Sequence, residues 1–204
     1  MPRRRRSGAS GPLTRRTLRR LALLLAALAA AALADRAGLF GRAGDDLVRY
    51  DNQLAPVVRQ VDGDTFDVGI PDAREGRATT RLRLWGVDTP ETLHPDRPVE
   101  HFGPEASSYT RELTDGQTVR LRLLDRRSRD RHGRLLAYVY LGDGRMLNRL
   151  LVESGHAYAD PRFQHPYDME FRDLMNQARR ERRGLWAEIQ ESQLPAYVHQ
   201  GARR

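Results

Sequence analysis

A chain of 204 residues is long enough for one domain with extensions, since domains typically contain roughly 100 to 200 residues. It contains no cysteine, which excludes a disulfide framework, a thiolate metal site and a cysteine nucleophile. The net charge is +8, but residues 1–34 alone carry eight of the 35 basic residues, all arginine, and no acid. Residues 35–204 contain 27 arginines and 27 acidic residues, so their net charge is zero. Bulk charge therefore does not indicate what the body of the protein binds.

Residues 1–34 have the layout of an export signal. An arginine-rich stretch precedes the apolar run LALLLAALAAAALA at residues 21–34, whose last three residues match an Ala-x-Ala cleavage site. That run is shorter than the roughly 17 to 25 residues of a membrane-spanning helix. We therefore predict a cleaved signal and an extracytoplasmic protein, secreted or periplasmic. An uncleaved membrane anchor through residues 21–34 remains the alternative.

The middle of the chain has the patterns of β-strands. Residues 35–52 show no clear period and are interpreted as a linker. In VVRQVDGDTFDVGI, strand-like residues flank Asp62 and Gly63, a hairpin turn signal. TTRLRLWGV alternates strictly, with Leu82 and Leu84 on the face opposite its arginines. QTVRLRLL and LLAYVYL predict two more strands.

Three helices are predicted between and after these strands. The first begins at Gly103, with Pro104 at its first turn. The second is RMLNRLLVESG, and the third follows Tyr167 with apolar residues at helical spacing. This order indicates an α+β arrangement, a small antiparallel barrel or sheet packed by helices. Residues 189–204 are interpreted as a short polar tail.

Two carboxylates are expected at neighbouring strand ends. Asp64 follows the first turn, and Asp88 ends the later alternating strand. If these strands are neighbours, the carboxylates can share one hard cation, with the backbone carbonyl of Thr89 as a further oxygen ligand. Because cysteine and clustered histidine are missing from the sequence, calcium or magnesium is favoured over zinc. The tetrapeptide DGDT alone is more typical of a simple turn.

Three further charged residues are ambiguous when each is taken alone. Arg83 lies on the polar face of a strand, where an arginine is usually only solvated. Glu91 follows a proline and fits a surface acid, and Arg134 lies in a turn next to Gly133. No single one of them predicts a function.

The order and spacing of these residues resemble the staphylococcal nuclease (thermonuclease) family. The matching pieces, between Val57 and Trp186, are VDGDT, RLRLWGVDTPET, FGPEAS, DRHGRLLAYVY, MLNRLLVESGHAY and RRGLW. The resemblance implies a five-stranded OB-fold β-barrel packed by three α-helices over residues 53–188. It also implies a calcium-dependent phosphodiesterase that acts on DNA and RNA.

The resemblance further implies roles for seven residues. They are the metal ligands Asp64, Asp88 and the carbonyl of Thr89, the catalytic residues Arg83, Glu91 and Arg134, and Tyr158 against the nucleotide. The chemistry is consistent with these roles, because negative charge grows on the phosphoryl oxygens as water attacks and needs positioned cations. An arginine fork matches phosphate oxygens, and a glutamate can orient or deprotonate the water.

This sequence departs from the family pattern at two aromatic positions. Asp160 and His132 stand where the type member has tyrosines, and fewer stacking groups predict weaker single-strand binding and a higher Michaelis constant. The segment DPRFQHP, after Ala159, is interpreted as a surface loop, although Arg162, Phe163 or His165 could replace those contacts.

Two functions follow from these observations. The first is an exported calcium-dependent nuclease, a monomer without an obligate protein partner. The alternative is a non-catalytic OB-fold module that binds nucleic acid or protein, since a fold alone does not imply an activity. The intact set of two carboxylates, glutamate and two arginines favours the nuclease.

Overall fold

The structure, a computed structural model, describes residues 15–36, 43–92, 99–124, 127–162 and 164–201. It divides into two units, residues 1–41 and residues 42–204. In the first unit, helix α1 runs over Arg15–Arg36. Within the described residues, no helix has both the length and the apolar character needed to cross a membrane. Residues 1–14 of the predicted export signal lie outside the described part of the chain.

The second unit is built on a closed five-stranded β-barrel. Its helices and strands, in chain order, are α2 (Ala43–Tyr50), β1 (Leu54–Asp62), β2 (Thr65–Val68), β3 (Thr80–Leu84), β4 (Val87–Asp88), α3 (Gly103–Thr114), β5 (Thr118–Arg122), β6 (Leu135–Tyr140), α4 (Leu147–Glu153), β7 (Tyr158–Ala159), α5 (Asp168–Arg180) and α6 (Ala196–Gly201). The barrel order is β1-β2-β3-β6-β5, and β4 pairs with β7 in a separate two-stranded sheet. The α+β prediction of a five-stranded barrel is therefore confirmed.

Alternating burial in β3 defines an inner face of the barrel, and register shifts in β1 help the barrel to close. In β3, Leu82 and Leu84 are buried while Arg81 and Arg83 face the other side, as the sequence pattern predicts. Strand β1 pairs with both β2 and β5, and its register shifts between Val57 and Asp62 bend it from one partner towards the other. The barrel is not wholly antiparallel, because β3 and β6 run parallel.

The three predicted helices, α3, α4 and α5, pack against the barrel. Helix α4 is tied to it by Asn148, whose buried side chain accepts from Val139 N–H at 3.0 Å and donates to Trp85 O at 2.9 Å. Trp85 is buried in the barrel core. These contacts hold the β3–β4 connection, which lies between Arg83 on β3 and Asp88 on β4.

The predicted linker at residues 35–52 is wrong over its second half. Residues 43–50 form helix α2, and Tyr50 is fully buried in the barrel core. Asp46 is also buried and pairs with Arg129 Nε at 3.1 Å. A helix of 8 residues gives too short a pattern to be recognised in sequence, so its role emerges only from these distant contacts.

The predicted tail at residues 189–204 also differs from the structure. It contains a 3₁₀-helix at Glu191–Gln193 followed by α6. Leu194 and Val198 are buried in a second apolar cluster with Leu185 and Trp186. The described part of this segment, up to Gly201, therefore belongs to the packed body of the protein.

Candidate active site

A cleft of about 960 Å³ opens beside the β3–β4 connection. It brings together five of the residues predicted for the site: Arg83, Asp88, Thr89, Glu91 and Arg134. Asp64 is fully buried at the base of this group, where it contacts Arg83. Residues that the sequence places on three separate segments therefore meet in one place.

Arg83 lies between the two predicted metal-binding carboxylates. Strands β2 and β3 are antiparallel neighbours, with Thr65 opposite Arg83. Asp88 does not end the alternating strand as predicted, because β3 ends at Leu84 and Asp88 lies on β4. One guanidinium nitrogen of Arg83 pairs with Asp64 Oδ1 and the other with Asp88 Oδ1. Only 16% of the Arg83 side chain is exposed, so the three charges interact in a poorly hydrated environment.

Burial and charge oppose each other in this group. Burial raises the pKa of Asp64, and the positive charge of Arg83 opposes that rise without cancelling it. Burial alone would lower the pKa of Arg83, but the charges of Asp64 and Asp88 outweigh it and raise that pKa. Arg83 therefore remains a cation at every physiological pH.

Asp64 is held in place by its neighbours. Its Oδ2 accepts from the backbone N–H of Thr89 at 3.0 Å, and its Oδ1 accepts from the Thr65 hydroxyl at 2.9 Å. Gly63 allows this close approach, since a Cβ at that position would lie 2.7 Å from Thr89 Oγ1. The glycine of the DGDT turn is therefore required by space at the site.

The donor set fits a hard cation. Among the described residues, no group of three or more His, Cys, Asp or Glu side chains is arranged to hold a metal ion. The predicted set needs only two carboxylates, Asp64 and Asp88, and the carbonyl oxygen of Thr89. Calcium and magnesium both accept all-oxygen sets in which water or substrate oxygens complete the coordination.

Glu91 lies at the edge of the cleft, close to a carboxylate that sequence reasoning missed. Asp62, the first aspartate of DGDT, accepts from the Thr92 hydroxyl at 2.6 Å and lies within hydrogen-bonding reach of Glu91. Burial raises the pKa of Asp62 to about 6; the hydrogen bond from Thr92 opposes this rise, and Glu91 adds to it. The Glu91 backbone is fixed by Glu100, whose N–H donates to Glu91 O at 2.9 Å.

Arg134 reaches the site from the turn that precedes β6. Its Nε donates to Asp130 Oδ2 at 2.6 Å, and its Nη1 donates to Thr65 Oγ1 at 3.3 Å. Since Thr65 donates onward to Asp64, a hydrogen-bonded path joins Arg134 to the predicted metal ligand. Gly133 has a φ of 77°, a left-handed conformation that favours glycine in this turn.

Tyr158 is not placed as predicted. Only 3% of it is exposed, and its ring packs edge-on against Trp186 at 5.7 Å between ring centroids. In this structure no face of the ring is open to a nucleotide. Its backbone instead pairs with Asp88 across β4 and β7, so Tyr158 helps to position a predicted metal ligand.

Comparison with known proteins agrees with this geometry. Residues 81–188 match the family model described as staphylococcal nuclease homologue. The chain belongs to the staphylococcal nuclease homologue family. Its relatives include proteins named "Thermonuclease" from Staphylococcus hyicus, 38% identical over 153 residues, and from Staphylococcus intermedius, 42% identical over 144 residues. These alignments cover 74% and 71% of this chain, and 84% and 78% of the two relatives.

A more distant relative is a protein of Escherichia coli O157:H7 named "Uncharacterized endonuclease", 33% identical over 132 residues. That alignment covers 65% of this chain and 76% of the relative. The segment matched by the staphylococcal nuclease homologue model contains Arg83, Asp88, Thr89, Glu91 and Arg134. Asp64 precedes that segment and helix α6 follows it, although both contact the same site.

Proposed function

We propose that this staphylococcal nuclease homologue hydrolyses phosphodiester bonds in DNA and RNA by in-line attack of water. The observation that carries the proposal is the meeting of Arg83, Arg134, Glu91 and Asp88 in one cleft, with buried Asp64 paired to Arg83. The names of the relatives, thermonuclease and endonuclease, support the same reaction class. A module that only binds nucleic acid has no chemical need for this combination.

The two arginines act on the phosphate. As water attacks, negative charge develops on the phosphoryl and leaving oxygens, and fixed guanidinium groups stabilise it. Each arginine is held by carboxylates: Arg83 by Asp64 and Asp88, and Arg134 by Asp130 at 2.6 Å. Such anchoring places the cations before substrate arrives, which reduces the cost of ordering them in the transition state.

Glu91 acts on the attacking water. It lines the cleft near Thr89, and its backbone is fixed by the two hydrogen bonds that it exchanges with Glu100, at 2.9 and 3.1 Å. A carboxylate in this place orients the water and accepts its proton as the new P–O bond forms. The reaction ends with the proton on the leaving oxygen and a phosphate monoester on the other fragment.

We propose calcium as the cofactor, held by Asp64, Asp88 and the carbonyl of Thr89. When bound, the ion supplies additional positive charge beside the scissile phosphate. The all-oxygen donor set suits both calcium and magnesium, so the preference for calcium follows from the family resemblance alone. Asp64 is buried and its carboxylate is fixed by Thr65 and Thr89, which suits a ligand that must be placed before the metal arrives.

Cleavage assays test the proposed reaction. The full chain is incubated with end-labelled single-stranded DNA or RNA, with calcium, with magnesium, and with excess chelator. We expect cleavage with calcium that stops on chelation and returns when calcium is restored. Unchanged binding of the labelled strand with no cleavage under any condition would replace the nuclease with the binding-module alternative.

We also propose that the protein is exported by residues 1–34, with cleavage after Ala34. The basic stretch, the apolar run at residues 21–34 and its Ala-x-Ala ending support this. Mass spectrometry of the protein from fractionated cells gives the N-terminus and the compartment together. A mature chain starting at Asp35 outside the cytoplasm is expected, whereas Met1 retained in a membrane fraction would support the anchor instead.

A further inference from the structure

Asp88 has partners on both of its carboxylate oxygens. Oδ1 faces Arg83 on the side of the cleft where Asp64 also lies. Oδ2 accepts two hydrogen bonds from residues not predicted to contact a metal ligand, Arg162 Nη2 at 2.9 Å and Tyr197 Oη at 2.5 Å. Because an ionised carboxylate only accepts, the Tyr197 hydroxyl is the donor in this contact.

Arg162 is fixed from two sides. Its Nε and Nη2 donate to Asp160 at 2.7 and 2.8 Å, and Asp160 is itself buried. Its guanidinium carbon lies 4.5 Å from the centroid of the Tyr197 ring, a cation–π contact. Asp160, Arg162 and Tyr197 therefore form one group, which we name the outer clamp of Asp88.

One member of the clamp, Tyr197, comes from the last helix of the described residues. Tyr197 lies on α6 and is 109 positions from Asp88. Buried Leu194 and Val198 on either side of Tyr197 anchor this segment in the second apolar cluster. The family match ends at residue 188, so Tyr197 lies outside the part of the chain that the family model covers.

We propose that Tyr197, together with Arg162, is a positioning residue that fixes the Asp88 carboxylate as a metal ligand. The inference rests on the proposed function, in which Asp88 binds the cation. By holding Oδ2, the clamp prevents rotation of the carboxylate and keeps Oδ1 directed into the cleft. Hydrogen-bonded outer partners of this kind orient metal ligands, and losing one typically lowers metal affinity about 10–100-fold.

The test compares Tyr197→Phe with Tyr140→Phe in the full-length chain. Tyr197→Phe keeps the ring that contacts Arg162 and removes only the hydroxyl on Asp88. Tyr140→Phe removes a hydroxyl that lies 3.4 Å from Tyr167 Oη and lines a separate cavity, so it serves as the matched control. Calcium affinity is measured by isothermal titration calorimetry, and the melting temperature is measured in excess chelator.

We expect Tyr197→Phe to raise the calcium Kd about tenfold. Tyr140→Phe is expected to leave the Kd unchanged. The melting temperatures of the metal-free variants should remain close to wild type. A purely structural role would instead lower the melting temperature without a selective loss of calcium affinity. Arg162→Gln is a second variant in which the same rise in Kd is expected.

Two results would overturn the inference and leave the proposed function intact. An unchanged Kd in both Tyr197→Phe and Arg162→Gln would mean that the clamp does not position Asp88. Tighter calcium binding in Tyr197→Phe would mean that the hydroxyl competes with the cation. If the wild-type chain itself binds no calcium, the proposed cofactor and the positioning role are both wrong.

Discussion

The backbone N–H of Thr89 donates to the carboxylate of Asp64 at 3.0 Å, although the two residues are 25 positions apart. This hydrogen bond joins the turn after β1 to the end of β4. It places the side chain of one predicted metal ligand next to the backbone that supplies another. The contact depends on Gly63, against which the Thr89 side chain packs.

Gly63→Ala should disturb this contact. The added Cβ would lie 2.7 Å from Thr89 Oγ1 and 2.9 Å from two Thr89 carbons, so the strand end must shift. We expect a loss of about 1–3 kcal/mol in the free energy of unfolding, typical of overpacking, together with weaker calcium binding. Gly142→Ala is the control, because a Cβ there has no neighbour within 4 Å among the atoms compared. Equal stability of the two variants in chemical denaturation would contradict the close approach.

Arg134→Lys should lower kcat by about 10²- to 10³-fold, the usual effect of losing one positioned donor to a developing anion. A lysine keeps the charge but cannot contact Asp130, Thr65 and a phosphate oxygen together. Arg145→Lys is a matched control, since Arg145 Nε also donates to a turn aspartate, Asp143, at 2.7 Å but on an exposed surface. Steady-state kinetics with similar kcat for both variants would remove Arg134 from the proposed machinery.

The buried pairs of Arg129 should make stability depend on pH. Burial would raise the pKa of Asp72, but the hydrogen bond and charge of Arg129 outweigh it and lower that pKa below 3.8. The folded state therefore favours the ionised carboxylate, and its stabilising effect is complete above this ordinary pKa and lost as the pH falls through the lower, folded-state value. Asp72→Asn should cost about 1–3 kcal/mol at pH 7, and progressively less in acid.

Denaturant unfolding of wild type and Asp72→Asn from pH 7 down to pH 2 measures this difference. Asparagine keeps an oxygen for the backbone N–H groups of Arg74 and Glu75, which donate to Asp72 Oδ1 at 3.0 and 3.3 Å. Asp143→Asn removes an exposed carboxylate paired with Arg145, so little change is expected. A difference between wild type and Asp72→Asn that stayed constant across the pH range would contradict the charge pairing.

Leu194→Ala should destabilise the protein by about 2–3 kcal/mol, because it leaves a cavity in the second apolar cluster. Only 8% of Leu194 is exposed, although it lies in the segment that the sequence suggests is a tail. Val58→Ala is a suitable control, since 57% of Val58 is exposed on β1. Thermal melting with no difference between the two variants would show that residues after 188 do not stabilise the fold.

The sequence predicts the strands, helices and site residues that have local signals. Strict alternation identifies β3 and the face of Arg83. The motifs DGDT and VDTPE identify Asp64 and Asp88 as candidate metal ligands, although Asp88 lies on β4, whose partner is β7. The three packing helices follow from capping residues and apolar spacing. Glu91 and Arg134 are predicted to be catalytic only because the whole motif set resembles the staphylococcal nuclease family.

The parts that the sequence does not predict depend on long-range packing. The family resemblance places Tyr158 against the nucleotide, but the pairing of β4 with β7 and the approach of Trp186 bury it. Helix α2 has too few residues for a clear helical period. Its Asp46 pairs with Arg129, which lies 83 positions further along the chain. Tyr197 contacts Asp88 from the far end of the chain, a contact that no local pattern indicates.

In the proposed reaction, Glu91 activates the water that attacks a phosphodiester in this cleft. This role is tested by the single-turnover rate of DNA cleavage by Glu91→Gln at saturating calcium. The control is Glu153→Gln, because the Glu153 carboxylate lies 3.9 Å from Arg149 Nε and lines a separate cavity. We predict a rate about 10²- to 10⁴-fold below wild type for Glu91→Gln, with unchanged DNA binding, and a wild-type rate for the control. Equal rates in the wild type and both variants would contradict this role for Glu91.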